Sequence, residues 1–154
     1  MKNKITKFLL FTLGDKIFAF NVEDVYRVIE LVEITPLPES PRKILGIINL
    51  HGEIIAIGDI KRKLNIKPEK FSLDNCIVIV RYKGKKLGFV IDKLIGYKEI
   101  APEDFISGEE IMSELSDVKG IVKMDSDIIL INNIENFMDD YEENWTQDAI
   151  NNLV

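Results

Sequence analysis

Histidine, cysteine and tryptophan occur once each in this 154-residue chain, as His51, Cys76 and Trp145, and that scarcity excludes most site chemistry at the outset. A single histidine cannot build a multi-histidine metal centre and leaves one conventional general base near neutral pH. A single cysteine cannot close an internal disulfide, which fits a reducing compartment. A Cys76–His51 dyad is conceivable, but Cys76 opens the apolar run Cys-Ile-Val-Ile-Val, where a small buried thiol is the simpler explanation. There is no Gly-x-Ser-x-Gly elbow and no glycine-rich phosphate loop. Asp125-Ser126-Asp127 looks like half of a calcium loop but lacks the glycine and bidentate glutamate of EF-hand spacing, and Glu109-Glu110 and Glu142-Glu143 read as solvated faces. No catalytic group, metal or cofactor is expected, and the chain reads as a binding module.

Long apolar runs are missing as well. No stretch approaches the roughly 20 apolar residues of a membrane span, and no uncharged h-region or cleavage site follows Met1-Lys2-Asn3-Lys4-Ile5-Thr6-Lys7, so a soluble, cytoplasmic protein is expected. Excess positive charge is scarce too. Residues 1–123 hold 20 basic and 18 acidic residues, whereas 124–154 hold no basic and 8 acidic ones. A near-neutral body with an acidic tail is a poor polyanion binder, because affinity for nucleic acid depends on clustered Lys and Arg. Lys83, Lys85 and Lys86 beside Tyr82 are the one hint of a basic aromatic surface.

Aliphatic and β-branched residues are abundant, with 46% of the chain hydrophobic. Two apolar runs between Gly46 and Ile60 flank His51-Gly52-Glu53, the pattern of a β-hairpin in which glycine supplies a turn conformation free of a Cβ penalty. The pattern recurs 74 positions on: Gly46, Ile47, Ile48 and Leu50 fall on Gly120, Ile121, Val122 and Met124, and Ile54, Ile55, Ile57 and Ile60 fall on Ile128, Ile129, Ile131 and Ile134. A weaker match at a shift of 70 lays Gly14, Lys16, Ile17 and Ala19-Phe20 over Gly84, Lys86, Leu87 and Phe89-Val90. Two similar hairpin pairs predict two small sheets, and closure into barrels removes exposed strand edges. The expected fold is mainly all-β: two small β-barrels sharing one core.

Strands are predicted at 5–12 and 16–20, a short helical turn at 22–24 leading into a strand, and a proline-rich surface loop with Pro36, Pro38 and Pro41 before the diagnostic hairpin. Asp59 is placed to cap a short helix at 60–64. The polar stretch 65–74 is the expected linker between halves 1–66 and 75–145 of a single domain. Strands at 75–82 and 87–95, a long ordered loop at 101–117 and strands at 118–124 and 127–132 follow. Ile134, Phe137, Met138, Tyr141 and Trp145 then line one face of a C-terminal helix with Asn133 as its N-cap.

In this order, several of these segments are specific. Phe8-Leu-Leu-Phe-Thr-Leu-Gly-Asp15, Pro38-x-x-Pro41-x-x-Ile44-x-Gly46, Asn49-Leu50-x-Gly52 with Asp59, then Gly88-x-x-x-Asp92 and Gly120, resemble the CheW family of bacterial chemotaxis adaptors over nearly the whole chain. The resemblance implies two five-stranded, SH3/OB-like β-barrels around a shared core. It also implies a non-catalytic scaffold that couples methyl-accepting chemoreceptors to the histidine kinase CheA. One barrel surface would pair with the kinase regulatory domain, and the groove between barrels would take the helical tip of a receptor.

Carried over by position, the partner-contacting candidates are Val25, Val28, Asn49, His51, Gly52, Ile77, Gly88, Asp92, Leu94 and Tyr97. Val25, Val28, Ile77 and Leu94 would serve equally as core, and Gly46, Gly52 and Gly88 are better explained as turn or close-packing residues. Two positions depart from the family pattern: His51 stands where arginine is usual, and Ala56 where proline is usual. Histidine offers at most two donors and is mostly neutral at pH 7, so a contact made by an arginine fork would be weakened. A paralogue serving another chemosensory kinase pathway and a nucleic-acid-binding barrel are the alternatives.

Overall fold

The computed structural model describes residues 4–38, 44–111 and 118–144. Its framework is a set of hairpins whose strands carry nearly continuous apolar runs, because most are buried on both faces. In β1 (Thr6–Leu13) Leu9 and Phe11 face one core, while Phe8 and Leu10 face another. β1 reverses through Gly14-Asp15 into β2 (Lys16–Asn21). The Asn21 side chain then accepts the Glu23 N–H at 2.9 Å and starts the 3-10 turn Val22–Asp24 that leads into β3 (Val25–Glu30), as the sequence predicted. β4 (Ile44–Leu50) and β5 (Glu53–Gly58) form the diagnostic hairpin, and Asp59 caps α1 (Ile60–Lys63) by accepting the Arg62 N–H.

Two predicted segments divide differently. The strand expected at 87–95 is two strands, β7 (Lys85–Ile91) paired with β6 (Cys76–Tyr82), and β8 (Lys93–Ile100) paired with β1; the chain leaves one sheet for the other at Asp92. The loop expected at 101–117 holds a 3-10 turn at Pro102–Asp104, β9 (Phe105–Ser107) and α2 (Gly108–Ile111); 112–117 fall outside the described residues. Its three strand residues were hidden by the acidic residues on either side. β10 (Val118–Met124), β11 (Asp127–Asn132) and α3 (Ile134–Asn144) lie where predicted, with the Asn133 side chain accepting the Asn136 N–H.

The duplication is real in the backbone. Ile44 pairs with Gly58 and Gly46 with Ile57 across a bulge; 74 positions on, Val118 pairs with Asn132 and Gly120 with Ile131 across the equivalent bulge. The repeats are nevertheless interleaved in space. One sheet has the order β8-β1-β2-β11-β10-β9 and the other β3-β6-β7-β5-β4, so each takes one hairpin from each half of the sequence. The seams are the parallel pairs β2·β11 and β5·β7. The 65–74 stretch separates repeats in sequence but not sheets in space. Two β subdomains are present as expected, one with a sixth strand because β9 adds to the edge of β10. In the other sheet Thr35 takes the equivalent place, exchanging hydrogen bonds of 2.8 and 2.9 Å with Ile47 at the edge of β4.

Among the described residues three apolar clusters fill the fold, one inside each subdomain and one that the two share. Phe8, Leu10, Ala19, Ile129 and Ile131 fill the six-stranded subdomain, and Ile48, Ile55, Ile57, Ile77 and Ile79 the other. The largest lies between the sheets, where Phe11, Phe20 and Phe89 meet Ile134, Phe137 and Met138 of α3. Tyr141 and Trp145 of the predicted helix face lie outside the residues whose side chains are described.

Candidate partner-binding surfaces

Both edge strands at one side of the molecule border a groove of about 540 Å³. β3 contributes Val28, Ile29 and Glu30, β8 contributes Leu94, and Leu31 with the 72–76 segment completes the wall. Its rim is apolar and open to solvent, with Leu94 39% and Leu73 103% exposed. The 72–75 turn is held in place: the Asn75 side chain accepts the Ser72 N–H at 2.8 Å and donates to the Asp92 carbonyl at 3.0 Å. Val28 and Leu94, separated by 66 positions in sequence, are thus brought to one groove. Exposed Ile95 and Tyr97 continue the apolar surface along β8, with Lys7 over the Tyr97 ring.

Asn49, His51 and Gly52 come together on a second surface, the β4–β5 tip. His51 and Gly52 have φ of +52° and +92°, the pair of left-handed residues that closes a two-residue hairpin. The Asn49 side chain accepts the Gly52 N–H at 2.8 Å and stiffens the turn. All three residues are exposed.

The remaining candidates are scaffold. Ile77 is fully buried inside the five-stranded subdomain, and its side chain meets no surface. A Cβ at Gly88 would lie 2.7 Å from Ile57 Cδ1 and 3.1 Å from Ile77 Cγ2, so this glycine permits close packing. The Asp92 carboxylate accepts the Gly14 N–H at 2.7 Å and pairs with Lys61 at 2.7 Å, while its own N–H donates to the Thr12 carbonyl. Asp92 therefore clamps the β1–β2 turn and α1 at the crossover between sheets and shapes the groove without facing it. Val25 is half-buried against the inter-sheet core. Leu31 and Leu73 were missed by sequence reasoning: Leu31 lies in the apolar stretch Val28-Ile29-Glu30-Leu31-Val32, where nothing sets it apart, and Leu73 stands among polar residues with no periodicity to mark it.

Burial pushes the Cys76 thiol up from its ordinary value, away from the thiolate a nucleophile requires. Cys76 begins β6, five residues and about 17 Å along the strand from Arg81, whose neighbour Lys86 is paired to Glu53 beside the His51 turn. A Cys76–His51 dyad is ruled out by that separation. Burial also raises the Asp24 carboxyl, against the opposing pull of Lys119. Among the described residues no group of three or more His, Cys, Asp or Glu side chains is placed to hold a metal ion, and no helix is long and apolar enough to cross a membrane.

Comparison with known proteins agrees with this geometry. The CheW-like domain family model matches residues 7–142. The chemotaxis protein CheW of Thermotoga maritima is 29% identical over 134 residues, covering 86% of this chain and 87% of the relative. The chemotaxis protein CheW of Helicobacter pylori is 26% identical over 136 residues, covering 88% and 82%. The crystal structure of the scaffolding protein TtCheW from Thermoanaerobacter tengcongensis superposes with a TM-score of 0.77 at 31% identity, covering 84% of this chain and 90% of that one. Two interleaved β subdomains, a groove between their edge strands and a family match over most of its length place this chain in the CheW-like domain family.

Proposed function

We propose that this chain is a non-catalytic cytoplasmic adaptor in bacterial chemotaxis signal transduction, linking methyl-accepting chemoreceptors to the histidine kinase CheA. The observation that carries the proposal is the open apolar groove between β3 and β8 in a chain of this family. A groove bordered by Val28, Leu31, Leu73 and Leu94 suits the apolar face of an amphipathic helix, entered through i, i+3 and i+4 anchors, which is the shape of a receptor's helical tip. The kinase regulatory domain would dock on a separate barrel surface that includes the β4–β5 tip. Calorimetric titration with each partner tests the two contacts separately. Val28→Glu places a charge in the groove and is expected to weaken receptor-tip binding by at least about tenfold while sparing kinase binding; equal binding by the variant would remove the groove from the reading.

The same reading makes His51 a point of altered recognition. Its turn holds a residue at φ +52° that projects from an exposed tip, where an arginine fork would provide a permanent charge and more donors. His51→Arg is expected to tighten kinase-domain binding severalfold, on the order of 1 kcal/mol. Unchanged or weaker binding would show that the tip contact does not depend on this side chain.

A further inference from the structure

We propose that Arg27, Arg81 and Lys86, gathered around Tyr26, form a docking patch for a carboxylate-rich segment of a protein partner. Tyr26 is half-buried and packs against the apolar interior of the five-stranded subdomain. Its ring collects three cations: Lys86 Nζ lies 4.0 Å from the centroid, the Arg81 guanidinium 5.2 Å and the Arg27 guanidinium 5.4 Å. One ring quadrupole attracts each cation modestly, but does nothing to relieve their mutual repulsion. Arg81 and Lys86 are also direct partners across β6 and β7, an arrangement that destabilises a sheet when both side chains carry the same sign.

Compensation within the chain is partial. Glu53 places both carboxylate oxygens on Lys86, at 2.9 and 3.2 Å. Among the described residues, no carboxylate pairs with Arg27 or Arg81, and both are exposed. Two guanidinium groups beside one tyrosine are thus steered by the ring and have no carboxylate partner among the described residues. Their planar forks match carboxylates in bidentate geometry, and stacking on the ring lowers the entropy lost when a partner arrives. Adjacent acidic side chains on a helix or strand would supply the missing charge.

Charge complementarity decides between polyanions. Glu53 sits within the cluster and repels a continuous phosphate chain, and single-stranded nucleic acid needs a charged track with several stacking rings, whereas this patch offers one. The patch also adjoins the β4–β5 tip, since Glu53 opens β5 two residues after His51. The inference rests on the adaptor reading only in taking the occupant to be a protein.

A blocked hexaglutamate peptide titrated by NMR at low ionic strength tests the patch directly. Saturable shifts centred on Tyr26, Arg27, Arg81 and Lys86 are expected, absent with hexaglutamine and weakened at least about tenfold in Arg27→Gln/Arg81→Gln. Equal hexaglutamate binding by wild type and variant would overturn the proposal, as would no binding, or preference for a single-stranded oligonucleotide of equal charge. Because both substituted residues are exposed, the variant keeps its core, and an unchanged amide spectrum elsewhere verifies this. Kinase-domain titration of the wild type judges the adaptor reading on its own, whatever the peptide does.

Discussion

Phe20→Ala is expected to lower the unfolding free energy by about 4 kcal/mol, the upper range for deleting a buried aromatic side chain. Phe20 is fully buried at the point where three elements converge. Its ring centroid lies 5.0 Å from Phe11 of the same sheet, 6.0 Å from Phe89 of the other sheet and 6.5 Å from Phe137 of α3. Truncation removes aromatic contacts worth about 0.5–1.5 kcal/mol per pair beyond area burial, and leaves a cavity bounded by two twisted sheets that cannot both collapse into it. Domains of this kind have about 5–15 kcal/mol in all, so the melting temperature should fall by roughly 12 °C. Urea unfolding would show a lower midpoint at unchanged slope. A loss below about 1.5 kcal/mol would show that α3 settles into the space and that the inter-sheet core is looser than described.

Gly46→Ala is expected to cost about 3 kcal/mol, for a reason of a different kind. A Cβ at Gly46 would stand 2.3 Å from the Thr35 carbonyl oxygen and 2.8 Å from its carbon. Those are backbone atoms, and Thr35 is fixed by its paired hydrogen bonds to Ile47, so the clash is relieved only by opening that bridge. Gly52→Ala is the internal control. It has nothing within 4 Å but a φ of +92°, and should lose only about 1 kcal/mol through backbone strain. Equal losses at the two positions, measured by urea unfolding, would mean that the edge segment at Thr35 yields without cost.

Most of this architecture was legible because hairpins announce themselves locally. Gly14, Gly52 and Gly84 mark turns between apolar runs, Asn21, Asp59 and Asn133 are side-chain caps followed by the turns they start, and the 74-residue shift aligns Gly46 with Gly120, where the structure places matched bulges. Pairing between hairpins was not legible. Nothing in the residues of β2 distinguishes β11 from β5 as its parallel neighbour, since all three are apolar runs largely buried on both faces. The same limit governed the surfaces. Val28 and Leu94 belong to a groove because two edge strands happen to lie side by side, whereas Ile77, equally apolar, belongs to the interior. Asp92 is named in the sequence as a partner contact, yet its neighbours Gly14 and Lys61 come from distant parts of the chain, and only they reveal it as a clamp. The cation cluster was glimpsed through Lys86, but Tyr26 and Arg27, 60 positions earlier, needed the β3–β6 pairing to reach it.

The interleaving of the two repeats sets a schedule for the newly made protein. The β1–β2 hairpin is synthesised before the other described strands, and its flanking neighbours are β8 and β11, so it emerges with both edges bare. At bacterial elongation rates the stretch from β2 to the end of β11 takes roughly 5–20 s to make, and the long-range pairing of Ile17 with Ile129 then has to close a large loop before it yields any stabilisation. During that interval Phe8, Leu10, Phe18 and Phe20 are aliphatic and aromatic strand residues without a sheet. These side chains therefore stay without their sheet neighbours until translation reaches β11.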